Sequence, residues 1–288
     1  MKNFSTSGSL FSKNLSLNLG GSIMDLNSPR IMGILNATPD SFYPGSRVPD
    51  PGLAVERARE MILQGADILD VGAVSTRPGA PELSEAEEME RLIPVLEALR
   101  EHFPDFPISV DTWRSGVARF VTDRFGIQLI NDISAGRLDP EMFPLMAQLG
   151  IPYVIMHMQG TPADMQDEPV YSHVVDDVLQ FFAERVYQLR KLGLNDIVID
   201  PGFGFGKSLD QNYQLLRQLD LFRSLELPLL VGISRKSMIY RLLDCEPDQA
   251  LNGTTAAHMA ALIHGANLLR VHDVAAAKET VKIFLQIY

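Results

Sequence analysis

Eight short apolar runs alternate with longer stretches of helical spacing, and this repetition restricts the fold more than any other feature of the sequence. The runs are Ile31–Leu35, Ile68–Val71, Ile108–Val110, Leu129–Ile130, Tyr153–Met156, Ile197–Ile199, Leu229–Val231 and Leu268–Val271. The stretches after them predict helices over residues 52–64, 84–101, 115–125, 140–149, 172–192, 209–225, one or two within 237–265, and 275–287. Short, uniformly apolar runs are typical of a parallel sheet that is buried on both faces.

Eight strand-then-helix units predict an α/β fold that closes into a (β/α)₈ TIM barrel. An open, doubly wound sheet is the structural alternative, but the strand number and the regular spacing favour closure. Before the barrel, 15–19 alternates in polarity, Gly20-Gly21 predicts a turn, and 22–26 returns, which indicates an N-terminal β-hairpin that covers one end of the barrel. We expect 1–15 to be a flexible N-terminus and 16–288 to form a single domain.

Composition excludes several classes of protein. A net charge of −11 argues against a nucleic-acid partner, although a local cluster of cations could still bind an anion. The single cysteine, Cys245, rules out intrachain disulfides and multi-cysteine metal sites. No apolar run is long enough for a membrane span, and the first 19 residues lack the apolar core of a signal peptide. A cytoplasmic location is therefore expected.

Polar side chains follow every one of the eight predicted strands, where a TIM barrel builds its active site. Any one of them could simply cap the next helix, but eight strand ends would converge on one mouth. One group has donors and acceptors suited to the edge of a flat nitrogen heterocycle: Asp111, Asn131, Asp200 and Lys236. A second group has cations and neutral donors suited to phosphate oxygens: Asn36, Thr76, Arg77, Arg270 and His272.

The segment Pro201–Ser208 resembles a phosphate-binding P-loop, but proline stands where the motif requires its first glycine. We interpret its glycines as positions where backbone approaches a ligand, with Phe205 packing on the ligand's face. Among the histidines, His272 is the one favoured for function, and His157 is interpreted as a satisfied side chain within the barrel. The remaining four are interpreted as solvated or structural, and no spacing among the histidines indicates a catalytic zinc site: His102, His173, His258 and His264.

The segment Ile31–Phe42 resembles the opening motif of the dihydropteroate synthase family. Later motifs of that family are matched in order: Gly65–Ala80, Ser109–Asp111, Asn131-Asp132, Met156–Gln159, Asp200–Lys207, Gly232–Ser237 and Arg270–Asp273. The resemblance covers about residues 16 to 288. It implies a homodimeric (β/α)₈ barrel that binds Mg²⁺ and that joins 6-hydroxymethyl-7,8-dihydropterin diphosphate to p-aminobenzoate, releasing pyrophosphate.

The resemblance also implies roles for individual residues. It places the pterin at Asp111, Asn131, Met156, Asp200, Phe205 and Lys236. It places the diphosphate at Asn36, Thr76, Arg77, Arg270 and His272, with Mg²⁺ at Asn36. It places p-aminobenzoate at Arg77, Pro78 and Ser234. The catalytic residues would be Asp111, Lys236, Arg270 and His272.

The chain departs from the family pattern in two loops. Gly72-Ala73-Val74-Ser75 stands where the family commonly has Gly-Gly-Glu-Ser, and Tyr43–Ser46 replaces a frequent Ser-Asp-Gly-Gly. Two alternatives remain open from the sequence. A pterin-dependent methyltransferase would need no diphosphate clamp, so Arg77, Arg270 and His272 count against it. A pterin-binding barrel without activity is the other, given the missing glutamate.

Overall fold

The computed structural model describes residues 15–37, 50–74, 83–161 and 170–288, and within them eight parallel strands form the predicted barrel. The strands are β3 (Arg30–Asn36), β4 (Ile68–Gly72), β5 (Ile108–Asp111), β6 (Leu129–Asp132), β7 (Tyr153–Met156), β8 (Ile197–Asp200), β9 (Leu230–Val231) and β10 (Leu268–Val271). Their order is β8-β7-β6-β5-β4-β3-β10-β9, and a parallel bridge between Ile199 and Leu229 closes the ring.

Helices follow the strands on the outside of the barrel. They are α1 (Pro51–Gln64), α2 (Glu85–His102), α3 (Ser115–Phe125), α4 (Met142–Leu149), α5 (Val174–Lys191), α6 (Leu209–Arg217), α7 (Ser237–Tyr240), α8 (Leu251–Ile263) and α9 (Val274–Ile287). Short 3₁₀ helices cover Leu219–Leu225 and Pro247–Gln249. The described residues contain no helix that is both long and apolar enough to cross a membrane.

Helix ends follow local signals in the sequence. Asp50 accepts a hydrogen bond from the amide of Gly52 (2.8 Å) and so caps α1, which begins at a proline. Gly65 ends α1 in the left-handed conformation, at φ 100°. Ser84 and Glu87 form a capping box at the start of α2.

The predicted continuous helix over 209–225 was wrong. The α-helix ends at Arg217, because Gln218 leaves the helical region (φ −114°, ψ 23°), and a 3₁₀ helix follows. In a 3₁₀ helix, residues three apart lie on the same face. That geometry buries Leu219 and Phe222 together, at 0% and 1% exposure.

The predicted hairpin is formed by β1 (Ser16–Leu19) and β2 (Ser22–Asp25). Three of its leucines, Leu17, Leu19 and Leu26, pack against apolar side chains from the first half of seven barrel strands. The hairpin therefore closes the N-terminal end of the barrel. Strand side chains alternate between two faces, so the next inward-facing layer lies two residues further along each strand. The side chains of that layer are mostly polar.

Candidate active site

The polar layer lies two residues beyond the apolar plug along several strands. On β4, Ile68 belongs to the plug and Asp70 follows two positions later; on β6, Leu129 is followed by Asn131. The other inward positions of this layer are Asp111, Met156, Asp200 and Arg270. The period of two within each strand thus brings side chains from six separate strands into one ring.

Arg270 lies between two carboxylates near the centre of this ring. Its Nε donates to Oδ2 of Asp70 at 2.6 Å, and its Nη2 donates to Oδ2 of Asp111 at 2.7 Å. The amide of Asn131 donates to the same Asp70 oxygen at 3.1 Å. Asp70 therefore positions both Arg270 and Asn131 in the floor of the site.

Electrostatics at Arg270 favour its charged form. Burial alone would lower the pKa of Arg270, but the negative charges of Asp70 and Asp111 outweigh it and raise the pKa above its usual value. Burial raises the pKa of Asp111, and the guanidinium of Arg270 opposes that rise. The floor of the site thus brings the guanidinium of Arg270 into hydrogen-bond contact with the carboxyl groups of Asp70 and Asp111.

Asp200 and Lys236 lie on the next side of the barrel, where the charge of each affects the pKa of the other. Asp200 accepts a hydrogen bond from the amide of Gly202 at 2.8 Å. Burial lowers the pKa of Lys236 to about 8, although the nearby carboxylate of Asp200 opposes this. Burial also raises the pKa of Asp200, with Lys236 opposing. Each group therefore stabilises the ionised form of the other.

Gly232 keeps the space between these charged groups open. A Cβ atom at Gly232 would lie 3.7 Å from Oδ2 of Asp200 and 3.9 Å from both the Cβ of Arg270 and the Nζ of Lys236. These are ordinary van der Waals distances, so a methyl group would fit, whereas a larger side chain would enter the gap that the three groups share.

Apolar side chains line one wall of the site. Met156 and Phe205 are buried and cluster with Ile133 and Met158, and Trp113 packs against them. The ammonium of Lys236 lies 4.5 Å from the centre of the Phe205 ring, within the range of a cation–π contact. A flat, partly apolar ligand would find a hydrophobic wall beside charged edges.

The rim of the site is formed after β9 and β10. The hydroxyl of Ser234 lies 3.1 Å from Nδ1 of His272 and accepts a hydrogen bond from the His272 amide at 3.2 Å. Burial, together with Arg270, lowers the pKa of His272 to about 4. His272 is therefore neutral near pH 7, so its ring can donate or accept a hydrogen bond without carrying charge.

Arg235, between Ser234 and Lys236, faces away from the ring. It has a left-handed backbone (φ 53°), and its guanidinium makes a bidentate pair with Asp273 at 2.7 and 2.8 Å. The pair joins the chain after β9 to the chain after β10. It therefore fixes the spacing of Ser234 and His272.

The structure brings together most, but not all, of the residues that the sequence singled out. Asp111, Asn131, Asp200, Lys236 and Arg270 lie in one layer, with the neighbouring wall and rim described above. Asn36 is exposed at the end of β3. Thr76, Arg77 and Pro78 lie outside the described residues.

Asp70 is a site residue that sequence reasoning missed. It was counted as part of an apolar strand and received no role. A signal was available, since a charged residue inside a short buried strand is rare unless it is paired. Asp132, which follows Asn131, instead has a local role: it accepts hydrogen bonds from the Ser134 and Gly136 amides at 2.7 and 2.8 Å.

Comparison with known proteins identifies the family. The model of the family "Pterin binding enzyme" matches residues 32–272. The dihydropteroate synthase of Escherichia coli K12 is 45% identical over 264 residues, which cover 91% of this chain and 92% of that protein. This chain belongs to the dihydropteroate synthases of the pterin-binding enzyme family. Membership makes it a transferase of folate biosynthesis, as the resemblance in sequence implied.

Solved dihydropteroate synthase structures agree with the fold. A Yersinia pestis dihydropteroate synthase in a sulfonamide drug complex superposes with a TM-score of 0.89 at 42% identity, covering 95% of this chain and 99% of that one. A Xanthomonas albilineans dihydropteroate synthase with 4-aminobenzoic acid gives a TM-score of 0.88 at 41% identity, covering 96% and 98%. The barrel with its N-terminal hairpin is therefore confirmed.

Proposed function

We propose that this protein joins 6-hydroxymethyl-7,8-dihydropterin diphosphate to p-aminobenzoate, giving 7,8-dihydropteroate and pyrophosphate. The observation that carries the proposal is the ring in which Asp111, Asn131, Asp200 and Lys236 surround one opening beside the cation of Arg270. Such a ring suits a flat heterocycle that bears several N–H donors and acceptors. Family membership supports the same reaction.

The pterin would lie against the apolar wall, with its polar edge toward the ring. The carboxylates of Asp111 and Asp200 would accept hydrogen bonds from ring N–H and amine groups, while Asn131 and Lys236 would serve the remaining edge. Met156 and Phe205 would contact its faces. Because Asp111 is held by Arg270 and Asp200 by the amide of Gly202 before any ligand arrives, little reorganisation would accompany binding.

The reaction breaks a carbon–oxygen bond to the diphosphate and forms a carbon–nitrogen bond to the amine. Positive charge develops on the pterin methylene and negative charge on the leaving group. Asp111 and Asp200 would stabilise the first, and the cation of Arg270 and a hydrogen bond from His272 would stabilise the second. The arylamine loses one proton to solvent after attack, so no strong general base is required, and positioning supplies the remaining acceleration.

Arg270 is placed where it can act on both charges. The resemblance assigns it to the diphosphate, and its guanidinium contacts Asp70 and Asp111 in the pterin floor. A side chain in this position would link the carboxylates that hold the ring to the departing anion. We propose both roles for it.

The resemblance in sequence assigns further residues to the leaving group and to the second substrate. We propose that Thr76 and Arg77 contact the diphosphate, and that Arg77, Pro78 and Ser234 contact p-aminobenzoate. The Xanthomonas relative was solved with 4-aminobenzoic acid and the Yersinia relative with a sulfonamide, which supports the same site as a sulfonamide target here.

Asn36 is the proposed protein ligand for Mg²⁺. The described residues contain no group of three His, Cys, Asp or Glu side chains that could hold a metal alone. Mg²⁺ commonly keeps several waters and binds through few protein oxygens together with substrate phosphates. One exposed amide oxygen at the rim fits that pattern, and the ion would neutralise diphosphate charge when bound.

A surface on the last helices supports a proposal for the assembly. Apolar side chains are exposed on the last helices, including Ile263, Ile283, Leu285 and Ile287. We propose that this surface is the interface of a homodimer, that residues 16–288 form one domain, and that the enzyme works in the cytoplasm. Its partners would be small molecules, not nucleic acid or membrane.

A coupled assay for pyrophosphate tests the reaction. Release that requires the pterin diphosphate, p-aminobenzoate and Mg²⁺ together is expected. Pterin binding without release would instead favour an inactive pterin-binding barrel, and methyl transfer from a methylated pterin would favour the methyltransferase alternative. Calorimetry of the diphosphate substrate with and without Mg²⁺ separates the ion's part in binding from its part in turnover.

A further inference from the structure

Lys207 has no role in the proposed reaction, yet it is almost completely buried beside the site, at 5% exposure. It belongs to the P-loop-like segment, where a lysine would be expected to face a phosphate. Its ammonium instead turns inward and lies between two loops, 157–159 after β7 and 201–206 after β8. Its contacts are therefore with these two loops.

Four acceptor atoms from these two loops converge on the Nζ of Lys207. It donates to the carbonyls of Gly202 and Phe205 at 2.9 and 3.0 Å, and lies 3.0 Å from Nδ1 of His157 and 3.4 Å from its carbonyl oxygen. Only an ammonium has three N–H donors for such a set, since a neutral amine would turn its lone pair toward an acceptor. The hydrogen-bonding geometry therefore favours the charged form.

The surroundings of Lys207 act on its pKa in opposite directions. Burial lowers the pKa of Lys207 to about 7, the carboxylate of Asp200 opposes that shift, and Lys236 adds to it. Burial, with Lys207 and Arg137, lowers the pKa of His157 far below its usual value, so its ring is neutral and Nδ1 can accept a hydrogen bond. The His157 ring is held edge-on against Phe181, with centres 4.9 Å apart.

The two loops approach so closely that their carbonyl groups need a shared partner. A Cβ atom at Gly202 would lie 1.8 Å from the His157 carbonyl oxygen, and one at Gly206 would lie 2.6 Å from that of Gln159. Carbonyl groups that are brought close together where water cannot reach them repel one another unless a hydrogen-bond donor lies between them. Lys207 supplies that donor.

The clamped loop also carries contacts of the pterin site. The carbonyl of Phe203 accepts a hydrogen bond from Lys236 at 2.6 Å, and the ring of Phe205 lies under the same ammonium. The Gly202 amide binds Asp200. Any shift of this loop would therefore move the wall, a carboxylate and the cation of the site together.

We propose that Lys207 is a positioning residue for the pterin site: by bridging the backbone carbonyls of the two loops, it holds Phe205 and the Phe203 carbonyl in the places that fix Lys236. The inference rests on the proposed function, because it assigns the clamped loop to the pterin. It separates Lys207 from phosphate binding, the role that its sequence context suggests.

Lys207→Met tests the proposal, since methionine keeps the length of the side chain without its donors. We expect the KM for the pterin diphosphate to rise at least 10-fold, the KM for p-aminobenzoate to change less than about 2-fold, and kcat to change less than about 3-fold, because Lys207 touches no reacting atom. Unchanged pterin KM would overturn the proposal.

Ser208→Ala is the matched control. Ser208 caps α6 through the amide of Gln211 and contacts neither loop carbonyl. Ser208→Ala should lower the melting temperature without changing the pterin KM. The comparison separates local destabilisation from loss of the contacts by which Lys207 bridges the two loops. A rise in pterin KM equal to that of Lys207→Met would overturn the proposed role of Lys207.

His157→Phe provides a second variant if Lys207→Met does not fold. It keeps a ring against Phe181 and removes one acceptor of the ammonium. A rise of a few-fold in pterin KM is expected, and no rise would count against the proposed role of Lys207. Pterin binding by calorimetry in the unmodified protein comes first: absence of binding there defeats the proposed function, whereas normal binding with an unaffected variant defeats only the role of Lys207.

Discussion

A single buried carboxylate determines the geometry of the charged floor at the scale of the residue. Asp70 is fully buried and orients Arg270 and Asn131 through one oxygen. A guanidinium that contacts both carboxylates of the floor transmits any change in one of them to the other. Misplacement of a binding group by about 1 Å can cost roughly 10²-fold in rate.

We therefore expect Asp70→Asn to lower kcat/KM for the pterin diphosphate by roughly 10²-fold. Asparagine keeps the shape but loses the charge that holds Arg270. Steady-state kinetics with the pyrophosphate assay measure the effect. Asp139→Asn, which removes the charge that accepts a part-buried hydrogen bond from the Ser115 amide, is the control for loss of a carboxylate charge elsewhere. Equal effects of both variants would contradict a specific role for Asp70.

Truncation of Arg270 addresses the cation itself. Arg270→Ala should slow the reaction by roughly 10²-fold or more, because a donor aimed at developing charge is lost and two buried carboxylates are left near one another. Single-turnover measurements distinguish slower chemistry from slower product release. Turnover close to that of the unmodified enzyme would remove Arg270 from the mechanism.

At the scale of elements, the hairpin β1–β2 closes the barrel end that is remote from the chemistry. Leu17→Ala should lower the free energy of unfolding by about 2–5 kcal/mol, because Leu17 is 1% exposed within the apolar plug. Urea denaturation measures the loss, while kcat should not change. Ile23→Ala on the same hairpin, 66% exposed, should change stability by less than about 0.5 kcal/mol. A large loss of activity in Leu17→Ala would show that the two ends of the barrel are linked.

Helix α8 contains a histidine that should make stability depend on pH. Burial lowers the pKa of His258 to about 4 from an ordinary value near 6.5, and Asp273 opposes this only in part. The unfolded chain binds the proton more readily, so stability is lost as the pH falls from about 6.5 toward 4. His258→Leu should remove about 2 kcal/mol of the loss in unfolding free energy between pH 7.5 and pH 5.

Urea titrations of both proteins at the two pH values check this prediction. Any packing change caused by leucine is the same at each pH and cancels in the comparison. Equal pH dependence in the variant and the unmodified protein would show that His258 does not resist protonation in the fold.

The whole molecule is expected to associate through its last helices. Exposed apolar side chains on α8 and α9 are candidates for an interface, because neighbouring apolar groups of this size are seldom left to solvent. Sedimentation should give twice the chain mass of 31.9 kDa. Ile283→Asp should shift the protein toward the monomer, whereas Tyr187→Asp on α5 should not. A monomeric unmodified protein would contradict the dimer.

The sequence by itself determined the architecture, because strands, helices and helix ends depend on residues that are close together in the chain. Apolar runs set the strands, and residues such as Asp50, Ser84 and Gly65 set where helices begin and end. Strand ends converge in a closed barrel whatever the loops contain, so most of the ring around Asp111 and Asp200 followed from counting strands.

Only the tertiary structure decided which polar residues pair with one another. Asp70 contacts Arg270 across 200 positions of sequence, and Lys207 binds carbonyls of its own loop and of a neighbouring loop. Such pairings depend on strand stagger and on backbone approach at Gly202, which no local pattern encodes. Once the barrel closes, a buried charged group needs polar partners close to it, because it has lost its contact with water. Which groups lie close enough is set by the packed interior.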